Sequence, residues 1–89
     1  MITTSRYASP ATRLLARTMA RKAGERYVAR GKKTIAQLAD EARRAGDDSI
    51  SVVEERGGKA AVLARITVDE RGRWAWAEER LLNTTEKEQ

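Results

Sequence analysis

Two short stretches of this 89-residue chain combine residue types and spacing suited to one chemistry, the holding of phosphate: Thr4-Ser5-Arg6 with Ser9 and Arg13, and Arg30-Gly31-Lys32-Lys33. Arginine presents forked donors that match phosphate oxygens, lysine a point charge, serine a hydroxyl donor, and glycine a place where backbone can approach closely. Other chemistries are poorly served. The chain has no cysteine and no histidine, which removes disulfides, thiolate nucleophiles and the usual zinc ligands. Its acids come as sequence neighbours (Asp40-Glu41, Asp47-Asp48, Glu54-Glu55, Asp69-Glu70 and Glu78-Glu79), and adjacent residues on a helix or strand point apart. Ser5 or Ser9 could act as a nucleophile only with a lysine base, and neither sits in a recognisable motif. There is no GxGxxG or Walker pattern. No catalytic residue, metal or cofactor is therefore expected.

Charge is segregated along the chain. Residues 1–33 carry nine basic side chains against Glu25 alone, whereas residues 34–89 carry nine against twelve acids, so the overall +5 conceals a strongly basic first third. Such a concentrated field speaks of partners, and a polyanion is the natural one. A generally charge-rich surface would explain the amount of charge but not its placement. The N-terminus lacks a signal pattern, and no apolar run approaches the roughly 20 residues of a membrane helix. A soluble, cytoplasmic protein of one domain is expected, with no membrane partner.

The elements that must position these residues read in the order βαβαβββ. A short strand ends at Thr4-Ser5-Arg6, and a helix follows from Pro10 to Ala23, capped by Ser9 and stopped by Gly24. Its free N-terminal N–H groups, beside Arg6, form an anion site. Ala11, Leu14, Leu15, Thr18 and Met19 fall on one side of this helix, and Arg13, Arg17 and Arg21 on another. A second strand passes through Tyr27 and Val28 and ends at the Arg30–Lys33 turn. A second helix starts at Thr34, where Thr34 and Gln37 form a capping box, and runs to Gly46. Ser49 to Glu55 reads as a central parallel strand, followed by the turn Arg56-Gly57-Gly58. Lys59 to Val68 and Arg73 to about Leu82 complete the sheet. An α/β (α+β) fold results, a mixed sheet of about five strands with two helices. If the first strands run parallel, both basic clusters lie on one sheet edge. Trp74 and Trp76 share a face of the last strand, where core closure is the favoured reading and a partner patch or base-stacking platform the other. Residues 83–89 read as a disordered polar tail.

TTSR followed by SPATR, then Y-x-x-RGKK, a helix containing LADEA, and the strand ISVVEERGG resemble the Brix domain proteins of ribosome assembly. The resemblance extends to about Gly58 and is archaeal-like. The family domain looks like two α/β halves in tandem, each similar to the anticodon-binding domain of some aminoacyl-tRNA synthetases. This chain has room for one, residues 1–82. The resemblance implies a non-enzymatic RNA-binding protein acting on ribosomal RNA or its precursor. It carries Thr4, Ser5, Arg6, Ser9, Arg13, Arg30, Gly31, Lys32 and Lys33 over as contact residues; Arg17 and Arg56 join them by position only. Two alternatives remain: an interaction module that pairs with itself or with another assembly protein, and a small tRNA-binding module.

Overall fold

The computed structural model describes residues 1–82, so the expected tail lies outside the described residues. Its elements are β1 (Ile2–Thr4), α1 (Pro10–Ala23), α2 (Ile35–Ala45), β2 (Ser49–Arg56), β3 (Lys59–Val68) and β4 (Trp74–Leu81). Both helices begin and end as their sequences dictate. Ser9 caps α1 by accepting from the Thr12 N–H. Thr34 and Gln37 form the reciprocal capping box of α2. Each helix stops at a glycine in the left-handed region, Gly24 at φ 68° and Gly46 at φ 85°. Asp69 holds the β3–β4 turn by accepting from the N–H groups of Arg71 and Arg73, both at 2.9 Å.

The sheet order is β1-β2-β3-β4. β1 runs parallel to β2, with Ile2 opposite Ser51 and Thr4 opposite Val53, and the other two pairings are antiparallel. The chain leaves β1 through α1 to one side, and returns through α2 to β2 on the other. That reversal, made with crossovers of one hand, places the helices on opposite faces. Leu38, Ala39 and Ala42 of α2 pack with Ile50, Val52, Ala64, Ile66 and Val68. Ala16 and Ala20 of α1 pack with Ile2 and Val53, flanked by Leu15, Met19 and Leu63. Small residues at the helix contacts bring both helices close to the sheet, so a core with few large side chains still closes.

The structure departs from the sequence reading in three places. The sheet has four strands, because the segment at Tyr27 contributes only a single parallel bridge to Ile2. Ile2 donates to the Arg26 carbonyl and accepts from Val28, both at 2.9 Å. The Thr4 carbonyl, which the next rung would occupy, instead accepts from the Arg30 guanidinium at 2.9 Å. A side chain thus ends the ladder. The buried side of α1 is Thr12, Ala16 and Ala20, while Leu14 is exposed. Finally, Trp74 and Trp76 do not close a core. They are 38% and 50% exposed, because β4 is an edge strand and α2 packs over β2 and β3.

Candidate nucleic-acid interface

In an open α/β sheet, ligands bind beyond the carboxyl ends of the strands, where successive connections leave for opposite faces. Here that point is the end of β1. The loop Ser5–Ser9 leaves toward α1, and the segment after Tyr27 leaves toward α2. Between them lies an open groove of about 410 Å³ lined by Thr4, Ser5, Tyr7, Ala8, Arg13, Ala29, Arg30, Gly31 and Lys32. Six of the eleven residues singled out in the sequence therefore meet, from two segments well separated along the chain. A cavity of similar volume, about 400 Å³, lies beside α1 against β3 and β4. Glu25, Arg65, Glu78, Glu79 and Arg80 line it with mixed charge, and it contains none of the eleven.

Arg30 joins the two rims. The residue is only 8% exposed; Nε donates to the Lys33 carbonyl at 2.6 Å and one terminal nitrogen to the Thr4 carbonyl at 2.9 Å. Burial pushes its pKa below the usual guanidinium range. The positive charge of Arg6 lowers it further, and Glu54 partly offsets both. The forked phosphate contact expected of Arg30 gives way to a clamp that ties the end of β1 to the Arg30–Lys33 turn.

Several other residues are committed internally. Thr4 is buried, and its hydroxyl donates to the Ser5 carbonyl at 2.9 Å. The Ser9 hydroxyl serves the α1 cap, and the Ser9 N–H donates to Glu55 Oε2 at 2.7 Å. The anion site expected at the start of α1 thus already faces a carboxylate from the end of β2. Hydrogen bonds from Thr12 and Ser9, with Arg13 nearby, hold the Glu55 carboxyl below its usual range. Lys33 Nζ pairs with Glu41 at 2.8 Å, against α2 rather than over the groove. Arg13 donates to the Ala8 carbonyl at 2.7 Å, bracing the β1–α1 loop, and Arg17 lies 5.4 Å over the Tyr27 ring. Arg56 is exposed at the β2–β3 turn and does not line the groove.

What remains outward-facing and uncommitted is Arg6, Gly31 and Lys32, with Ser5 half-buried, while Arg17 is exposed over the Tyr27 ring. Among the described residues, Arg6, Arg17 and Lys32 make no ion pair. Sequence reasoning missed Glu54 and Glu55, although the rule that places Arg6 on this edge places the end of a parallel β2 there too. It also missed Tyr7, which carries no charge and belongs to no periodic pattern.

No protein-family model and no curated protein sequence matches the chain. Among solved structures it is similar to Mil, an archaeal Imp4-like protein, with a TM-score of 0.75 and 35% identity over 90% of this chain and 48% of that one. It is also similar to a probable ribosomal biogenesis protein from Aeropyrum pernix K1, with a TM-score of 0.82 and 29% identity over 92% and 46% of the two chains. The chain spans about half the length of these solved relatives. In fold and in sequence the chain is Brix-like, similar to part of an archaeal Imp4-like protein and to part of a probable ribosomal biogenesis protein.

Proposed function

We propose that the chain is a non-enzymatic RNA-binding factor of ribosome biogenesis, holding ribosomal RNA or its precursor along the rim formed by Arg6, Ser5, Gly31 and Lys32. The observation that carries this reading is the convergence of two distant basic segments on one groove at the switch point of the sheet. Backbone contacts of this kind position a polynucleotide without reading its sequence, so selectivity would come from RNA shape and from unpaired bases. The similarity to an Imp4-like protein and to a probable ribosomal biogenesis protein supports the assembly context. Crosslinking in cells, followed by sequencing of the bound RNA, tests it. Enrichment of ribosomal RNA precursor is expected. Recovery of tRNA alone would favour a small tRNA-binding module, and recovery of no RNA would overturn the proposal.

A second reading rests on β4. The register sets Trp74 opposite Val68, Trp76 opposite Ile66 and Leu81 opposite Val62, so all three lie on the α2 face of the sheet, and all three are exposed. The two indole rings meet edge to face at 6.4 Å. An apolar strip on a sheet edge left unpaired among the described residues suits pairing with a second copy or another assembly protein. It can coexist with RNA binding on the far side of the sheet. Sedimentation of the wild type and of Trp76→Glu separates the cases: a self-association lost in the variant supports a homodimer, and a monomer in both removes it.

A further inference from the structure

Tyr7 is the one non-glycine residue among those described with a positive φ, 59°. A bulky side chain rarely adopts that conformation, which a glycine would take without strain. Tyr7 also packs in neither core cluster, and the residue is 78% exposed. Nothing in the folding of this loop calls for an aromatic there. The ring stands on the wall of the groove, whose other uncharged lining includes Ala8 and Ala29, and Arg13, Gly31 and Lys32 lie along the same groove.

That combination has a specific chemical match. A nucleobase is a flat, weakly hydrated π surface carried one sugar away from a phosphate, so a site for it needs an exposed ring with cations beside it. Resting on the RNA-binding reading above, the geometry points to Tyr7 as a stacking platform for one unpaired base, with Arg6 and Lys32 on the flanking phosphates. The groove then prefers single-stranded or looped RNA over duplex, whose bases are already stacked on each other.

The test compares a 12-nucleotide oligoadenylate, an RNA duplex of equal length and an oligoglutamate of equal charge by fluorescence anisotropy, over a range of salt. Tyr7→Ala is expected to weaken oligoadenylate binding about tenfold, within the roughly 5- to 150-fold that losing one stacked base gives. Duplex binding and the salt slope should stay as in the wild type. Tyr7→Trp should bind within about twofold of the wild type. Tyr7→Gly, which relieves the backbone, should unfold at the same or higher denaturant concentration yet lose affinity as Tyr7→Ala does, so that misfolding cannot account for the loss. Oligoadenylate affinity unchanged in Tyr7→Ala and Tyr7→Gly would overturn the stacking role while leaving the basic rim intact. Equal losses on oligoadenylate and oligoglutamate would also overturn it, in favour of an acidic peptide. Failure of the wild type to bind any RNA would count against the groove as a whole, an outcome distinct from the other two.

Discussion

Replacing Arg30 separates a clamp from a ligand-binding arginine. In Arg30→Ala, the Thr4 carbonyl loses a charged donor at 2.9 Å in a buried setting, and the Lys33 carbonyl loses one at 2.6 Å. Hydrogen bonds to charged groups contribute about 1.5–3 kcal/mol, and a buried carbonyl left without a partner costs about 1–3 kcal/mol. Removing the guanidinium also relieves its own desolvation and the repulsion from Arg6, the two causes that lower its pKa. A net loss of about 3 kcal/mol is expected, a large share of the roughly 4–13 kcal/mol that stabilises a domain of this size. It should lower the melting temperature by about 10–25 °C. Arg30→Lys should recover little, since a single ammonium does not span both carbonyls as the planar fork does. Thermal unfolding followed by far-ultraviolet circular dichroism measures both variants. An Arg30→Ala protein that melts with the wild type would refute the clamp and return Arg30 to the phosphate-binding set.

Glu55→Gln removes the carboxylate that faces the start of α1. Because its folded pKa lies below the ordinary value, Glu55 contributes stability at neutral pH that is lost as pH falls through the folded pKa. The variant should be less stable at pH 7 and show a shallower loss on acidification. Some loss should persist, because hydrogen bonds from Arg43 and from the Arg73 backbone hold Asp40 and Asp69 below their usual range as well. Identical pH profiles in urea titrations would contradict this. Thr34→Ala breaks the capping box of α2 and should cost about 1 kcal/mol by the same titration; no change would show the cap to be dispensable. Lys33→Ala loses only a half-exposed pair with Glu41, and its melting temperature should stay within a few degrees of the wild type.

Much of the fold was legible because local signals agreed with one another. Ser9-Pro10, Gly24, the Thr34/Gln37 box and Gly46 fixed both helices, and Lys59–Val68 forms the strand expected of it. The convergence of the two basic segments was legible too, since it follows from the parallel start of the sheet. What the pattern could not show was how each charge would be used. Arg30 reads like Arg6 in the sequence, and only the missing rung at Thr4 distinguishes the buried clamp from the exposed cation. A strand at Tyr27 was over-read for the same reason, because the residue that ends its ladder is a side chain twenty-six positions away from its acceptor. Trp74 and Trp76 have the type of core residues, and burial failed because α2 covers only β2 and β3. Tyr7 left no trace in composition or periodicity, and its left-handed backbone is visible only in three dimensions.

The salt dependence of single-stranded RNA affinity, compared between the wild type and Arg6→Ala/Lys32→Ala, tests the basic groove most directly. With four to six phosphates neutralised, the wild type should give a log-affinity against log-salt slope of about −3 to −4, at about 0.7 per phosphate for single strands. The double variant, which removes no hydrogen bond of the Arg30 clamp or the α1 cap, should fold normally and flatten that slope by about 1.4. A variant that keeps both the wild-type slope and the wild-type affinity would show that RNA does not bind at this rim.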